Sequence, residues 1–520
     1  MSTGANVTAG SVNWARIVRN VFSNWTSYIV TMLVGFWLAP IVVHSLGDTG
    51  YGLWTLVLSM TGYFGLLDLG IRSSVGRFVT RSLALNDDQS VNRTASTAFL
   101  ILGAGGVLAF LSTMVTAFFF LDAFRIEPQY VSAGRTALLI TGLNMSLILP
   151  FGVFSSVLIA LERYDVVSGV TISVELTRAA LVVWFLQHGY GLVALALISL
   201  AITLVQYAAM VVFAKALHPP LSLSIRDVDR AGCRELFGFS IYRFMWIVAN
   251  QLIFYSDAVV IGIFLGAGAI TPFAIAASLI NYGRNVVSLV TDTLYPAAAR
   301  MDATAELAGL QRLLIIATRM ALLVTLPLCL GFLFLGRQFI TLWMGPTYAD
   351  SAILLMVLTI PQFGSMSQYG SVLVLTGMAR HRALAYFALA EGLTNVVLSV
   401  ILVRHMGLIG VAWGTVIPHF ICTTLVVPVY TLRVLKMNVA DYFLQAYLRP
   451  LVCALPVVCL GYAFFRLDVA SWLIFAGEAL AMCGLFALAS YFVCLDPAQR
   501  TLVGARMGAL LQRGTVVHET

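Results

Sequence analysis

The sequence predicts an all-α protein embedded in a membrane, with about fourteen spanning helices. Three observations predict it. The chain of 520 residues is 60% hydrophobic and 10% charged, with a mean hydropathy of +0.93. A soluble domain averages roughly 25% charged residues, so a water-facing surface cannot be built from this composition. Apolar runs of about 20 residues, each long enough to cross the hydrocarbon core, recur from end to end. The runs are long and continuous rather than alternating. Every backbone polar group in lipid must be paired internally, so they read as helices and not as barrel strands.

The spans follow in order, with bounds uncertain by about 2–4 residues. The first six are expected near 22–44, 51–71, 95–121, 134–160, 166–187 and 191–216, each an apolar block between polar punctuation. Residues 218–236 then carry Pro219-Pro220 and a charged Arg226–Arg230 stretch and read as a cytoplasmic linker. Six more are expected near 237–265, 271–298, 312–336, 350–376, 383–403 and 408–434, and two further spans near 448–466 and 470–494. The expected organisation is therefore an N-terminal six-helix lobe (1–217), the linker (218–236), a C-terminal six-helix lobe (237–436), and two extra helices with a tail (437–520). The tail carries Arg500, Arg506 and Arg513 among leucines and fits a basic amphipathic helix or an unstructured end.

Charge asymmetry supports an even span count. With the N-terminus in the cytoplasm, Arg16, Arg19, Arg72, Arg77, Arg81, Arg93, Arg163, Lys215, Arg300, Arg312, Arg380, Arg433 and Arg449 fall inside. Only Arg125, Arg135, Arg337, Arg404 and Arg466 fall outside. Both termini are thus expected in the cytoplasm. The formal net charge of +7 needs no nucleic acid partner, because inner loops of membrane proteins are basic anyway. The seven cysteines form no C-x-x-C pair and read as small apolar residues, so neither a metal centre nor a cofactor is expected.

The two lobes repeat one another. At an offset of 219, Leu46-Gly47 pairs with Leu265-Gly266, Ser59 with Ser278, Tyr63 with Tyr282 and Arg81 with Arg300. At an offset of 216, Glu175 pairs with Glu391 and Gly191-Leu192 with Gly407-Leu408. The expected arrangement is two bundles of the same orientation, rocking about a shared interface with a substrate cavity near mid-membrane.

Charges at mid-bilayer cost roughly 2.5–3.5 kcal/mol on insertion scales, so polar residues repeated at helical spacing mark a face that avoids lipid. Span eight shows Asn281, Arg284, Asn285, Ser288 and Asp292 on one face. Span seven shows Arg243, Asn250 and Asp257, widened by Gln251 and Tyr255; span ten shows Gln362, Ser365, Gln368 and Tyr369. Span five carries Glu175 and Arg178, and span two carries Asp68 and Arg72 in the order that favours a helix pair. Arg284 has no acid three or four residues on, which favours a functional role. Glu175, Glu391 and Asp68 also fit structural ion pairing, and Glu478 and His419 stand isolated in the sequence and read as structural.

The stretch Leu46-Gly47-Asp48-Thr49-Gly50-Tyr51-Gly52-Leu53-Trp54, then Gly65-Leu66-Leu67-Asp68-Leu69-Gly70 and the basic Arg72–Arg81 segment, resembles the oligosaccharide (O-antigen, Wzx-type) flippases of the polysaccharide transporter family. That family lies in the superfamily that also holds the lipid II flippase MurJ and the MATE drug exporters. Glu391 to Trp413 resembles the family's C-terminal half. The resemblance implies a V-shaped pair of bundles that moves a polyprenyl-pyrophosphate oligosaccharide by alternating access, with central arginines on the pyrophosphate.

The expected site follows. Arg284, helped by Arg243 and Arg72, neutralises the phosphates, while Asn250, Gln251, Tyr255, Asn281, Asn285, Gln362, Gln368 and Tyr369 offer hydrogen bonds to the sugars. Asp257, Asp292 and Glu175 are the candidates for a coupling ion. Expected partners are the lipid-linked oligosaccharide, membrane lipids and the polysaccharide polymerase machinery. Two alternatives compete. An ion-coupled exporter of amphipathic molecules is disfavoured because no acid lies between Val21 and His44 in the first span. A membrane polymerase or ligase is disfavoured because the outer segments 122–134 and 336–350 are too short for a catalytic domain.

Overall fold

A chain without enough charge to face water has to close its backbone hydrogen bonds segment by segment, and the helix is the element that does so locally. The computed structural model describes residues 14–228, 232–233, 236, 241–291, 294–467 and 471–494, and these contain helices and turns with no strand. Ten helical stretches among them are long and apolar enough to cross a membrane. Two of these, Phe22–Asp68 and Arg382–Val434, each hold two crossings joined at a sharp glycine bend. The helix Ile270–Thr291 carries the polar stripe, and Ser351–Gly377 is broken into three short helices. Counting these, the described segments are consistent with the expected fourteen.

The chain divides into two compact units, Met1–Phe244 and Met245–Thr520. In the first unit α1 (Trp14–Tyr63) bends at Gly47, whose φ of 69° and ψ of 176° lie where a side chain is strained. Gly266, its repeat partner, holds nearly the same conformation, φ 95° and ψ 168°. The paired motif Leu46-Gly47 and Leu265-Gly266 therefore builds one turn twice. After α1 a single turn of 3-10 helix (Phe64–Asp68) leads into Leu69 and Gly70, both left-handed, before α2 (Ile71–Ala84) begins. The Asp68–Arg72 pair closes across this break at 3.0 Å instead of running along a continuous helix. Sequence spacing alone hid the interruption.

The remaining helices of the first unit are α3 (Asp88–Val115), α4 (Pro128–Ala160), α5 (Tyr164–Gln187) and α6 (Leu192–Leu217). Asp87 starts α3 by accepting from the Ser90 amide at 2.9 Å, and Pro128 starts α4 at a position where no amide partner is needed. Helix α4 packs against α3 and α6 around Leu102, Leu149, Leu158 and Met210, all fully or nearly fully buried. The first half of the expected linker is no free strap. Asn92 on α3 donates to the Pro220 carbonyl at 2.9 Å and accepts from the Ser222 amide at 2.9 Å, while Leu221 enters the core.

The second unit contains α7 (Ile241–Phe264), α8 (Ile270–Thr291), α9 (Tyr295–Ala303), α10 (Leu307–Phe334), α11 (Gly336–Met344), α12 (Ser351–Thr359), α13 (Gln362–Ser367), α14 (Tyr369–Gly377), α15 (His381–Ile421), α16 (Val427–Val434), α17 (Val439–Phe443), α18 (Arg449–Phe465) and α19 (Trp472–Val493). Helix α15 bends at Gly407, φ 59°, so its two arms run side by side. Large apolar side chains such as Phe119, Leu455, Leu473 and Leu480 stand exposed, as expected of surfaces wetted by acyl chains.

Candidate functional site

The second unit encloses a cavity of about 600 Å³. Three sequence features make its walls polar. The first is the stripe on α8, which delivers Arg284 and Ser288 to the cavity. The second is the broken span α12–α13–α14. It is interrupted at Ile360–Pro361 and Gln368, and polar side chains beside the second break find side-chain partners. Gln368 donates to the Tyr447 hydroxyl at 2.6 Å and accepts from Ser371 at 2.5 Å; Ser367 lies 2.7 Å from the same Tyr447 hydroxyl, and Thr318 lies 2.9 Å from that of Tyr442. The third is the inner end of the second arm of α15. There Pro418 removes a backbone donor, and a wide turn at Cys422–Val426 follows.

Arg284 is half-buried in this wall. Its guanidinium carbon sits 4.3 Å from the centre of the Phe254 ring, and its Nε lies 3.5 Å from the Tyr369 hydroxyl, at the outer limit of a hydrogen bond. Among the described residues no carboxylate forms an ion pair with it. Its charge is therefore held in place by an aromatic face with no directly paired carboxylate among the described residues, an arrangement suited to an anionic ligand.

A smaller annex of about 70 Å³ adjoins at Ile253, Phe254, Arg284 and His419 and reaches Asp257, Asn281, Gln362 and Thr415. Asp257 is only 5% exposed, and the Thr415 hydroxyl donates to it, 3.0 Å from each carboxylate oxygen. Gln362 donates to the Leu358 carbonyl at 3.2 Å, while its side-chain oxygen is buried with no hydrogen-bond partner.

The cavity wall also holds a pair that the sequence left apart. Glu391 on the first arm of α15 and His419 on the second are 7% and 8% exposed, and His419 Nδ1 meets Glu391 Oε1 at 2.6 Å. The other ring nitrogen, Nε2, is buried without a hydrogen-bond partner. Gly392 permits this placement, because a Cβ there would come within 2.9 Å of the Leu252 side chain on α7. The missed signal was distance from the bend. Glu391 and His419 lie on the order of 24 and 18 Å along their arms from Gly407, hence at similar depth.

The first unit has its own polar pocket, about 840 Å³, lined by Asn20, Asn24, Arg72, Arg77, Thr80 and Tyr164 among others. Arg72 lies over Gly152 of α4, whose missing side chain makes room for it, and its Nε bonds Asp68.

The structure thus gathers Arg284, Asn250, Gln368 and Tyr369 on the larger cavity of the second unit, and Asn281, Gln362 and Asp257 on the annex. Asn250 donates to the Trp246 carbonyl at 2.7 Å. Asn285, Gln251 and Tyr255 line neither space. Glu175 is bound to Arg178 of its own helix at 2.6 Å and does not line the polar pocket of the first unit. The Arg243 side chain and Asp292 lie outside the described residues.

Residues 17–302 match a family model described as polysaccharide biosynthesis protein. The chain is 23% identical over 495 residues to an uncharacterised membrane protein, EpsK, of Bacillus subtilis, covering 93% of this chain and 96% of that one. It is 26% identical over 287 residues to the teichuronic acid biosynthesis protein TuaB of the same organism, covering 53% and 57%. Among solved structures it shares the fold of the lipid II flippase MurJ in an inward closed conformation, with a TM-score of 0.71, 14% identity, and coverage of 91% of this chain and 98% of that one.

Proposed function

Because this chain belongs to the polysaccharide biosynthesis protein family, a family of multi-pass membrane proteins, we propose that it is a flippase that carries a polyprenyl-pyrophosphate-linked oligosaccharide across the membrane by alternating access, for exopolysaccharide or O-antigen synthesis. The carrying observation is Arg284, a cation fixed on an aromatic ring in a roomy cavity and ion-paired to no carboxylate among the described residues. A pyrophosphate diester is the part of such a substrate that needs this charge, and the amides and hydroxyls beside it replace the water that the sugars lose. Arg72, on the polar pocket of the first unit, and Arg243 are the secondary phosphate contacts. The likeness to a teichuronic acid biosynthesis protein and to the fold of a lipid II flippase supports a lipid-linked glycan as the substrate class.

In this reading the chain performs no covalent chemistry. It works in the bacterial cytoplasmic membrane with both termini inside, and hands its product to the polymerase machinery. Asp257 is the leading carboxylate for a coupling ion, and Asp292, at the end of the span-eight stripe, is the second candidate. Glu175 is the weakest of the three, since Arg178 already balances its charge. A MATE-like exporter of cationic drugs is the alternative, and Arg284, ion-paired to no carboxylate among the described residues, disfavours it. The deciding experiment uses purified protein in vesicles, a labelled short-chain polyprenyl-pyrophosphoryl sugar and a panel of cationic drugs. Movement of the lipid-linked sugar is expected. Movement of the drugs alone would reject the proposal.

A further inference from the structure

We propose that the Glu391–His419 pair is a proton-binding site whose occupancy sets the anion affinity of the Arg284 cavity. The inference rests on the phosphate-binding reading above and deepens it by naming a proton linked to anion binding and its seat, apart from the Asp257 candidate. Three observations carry it. The two side chains are buried at similar depth on the opposed arms of one bent helix, 2.6 Å apart. His419 spends Nδ1 on Glu391, and Nε2 is buried with no hydrogen-bond partner. His419 lines both the cavity and its annex, so the proton site borders the space that Arg284 also lines.

The charge arithmetic gives the direction. With His419 neutral, Glu391 is a net negative charge in the wall that Arg284 shares, and the two cancel for an incoming anion. With His419 protonated at Nε2, the pair is internally neutral and Arg284 stands alone as a positive charge. A phosphate group therefore prefers the protonated cavity, and by reciprocity its binding draws a proton onto His419. Loss of that proton weakens the hold on the phosphate. The other titratable and charged groups facing the pair from the packed elements are Arg284 on α8, Tyr369 on α14, Asp257 on α7 and Cys422 just beyond the second arm of α15. Asp257 is engaged by Thr415 rather than by the pair.

The test is calorimetric binding to the full chain in lipid nanodiscs, between about pH 6 and pH 8, in buffers of different ionisation enthalpy. The probe is a short-chain isoprenyl pyrophosphoryl glucose, a diester whose phosphates do not titrate in that range. Wild type is expected to take up close to one proton per ligand and to lose affinity with rising pH, by up to about ten-fold per unit. His419→Gln, which keeps a donor toward Glu391 and cannot titrate, is expected to bind with no proton uptake and a flat pH profile. Arg284→Ala is expected to lose binding at every pH. Binding by wild type with no proton uptake, or an unchanged pH profile in His419→Gln, would overturn the proton site and leave the phosphate reading standing. No binding by wild type at any pH would overturn the phosphate reading and the proton site with it. The wild-type buffer comparison decides the matter even where a variant does not fold.

Discussion

Replacing Arg284 by alanine removes the guanidinium that the cavity offers a phosphate. The loss can be sized from its surroundings. A hydrogen bond to a charged group is worth about 1.5–3 kcal/mol, which is roughly 12- to 150-fold in affinity. The upper part of that range applies, because the site is half-buried and no ion-paired carboxylate among the described residues competes for the guanidinium. Lysine restores the charge but neither the planar fork nor the stacking on Phe254, itself worth about 0.5–2 kcal/mol, so Arg284→Lys should recover only part of the affinity. Since Arg284 makes no ion pair among the described residues, both variants should melt within a few degrees of wild type. The assay is equilibrium binding of a labelled isoprenyl-pyrophosphoryl sugar in nanodiscs, with thermal melting as the fold control. A folded Arg284→Ala protein that binds within two-fold of wild type would refute the assignment of the phosphate to this cavity.

Other perturbations test the architecture. Asn92→Ala should free the linker by removing two hydrogen bonds, about 1–2 kcal/mol in sum, and trypsin should then cut faster at Arg226. Glu478 is buried with neither carboxyl oxygen hydrogen-bonded, so Glu478→Leu should raise the melting temperature; a fall would show a missing partner. Gly266→Val should lower it, because a β-branched residue at φ 95° is strained whatever the space, and Gly47→Val should do likewise. At the start of α5, Arg163 donates to both oxygens of Asp165, at 2.9 and 3.1 Å, and holds that carboxyl below its usual range. A depressed carboxyl pKa stabilises above the unfolded value and the benefit fades as pH falls through the folded one. The small melting difference between wild type and Asp165→Asn should therefore persist at neutral pH and close only below about pH 4.

Much of this was legible in the sequence because lipid imposes simple rules. Apolar length gave the spans, and the seven- and four-residue steps from Asn281 to Asp292 marked the face of α8 that carries Arg284. The repeated Leu-Gly motif located two turns whose glycines share a backbone conformation. Two kinds of feature stayed hidden. Breaks inside a span leave little trace in hydropathy, so the Leu69–Gly70 turn and the three-part Ser351–Gly377 run read as plain helix. Pairings across a bend need depth as well as face, which is why Glu391 and His419 seemed unrelated. Gln368 shows the opposite limit: it lines the cavity as expected, yet both ends of its amide are already occupied by Tyr447 and Ser371.

That engagement of Gln368 has a consequence for how the chain is made. Until Tyr442 and Tyr447 leave the ribosome, the interrupted run before them sits in the bilayer with the Gln368 amide nitrogen unanswered. The span Val439–Phe465 is then less an appendage than a lock, fitted late, that lets an otherwise ill-suited segment stay in hydrocarbon. A chain halted before residue 442 would present that segment to the quality-control proteases of the membrane.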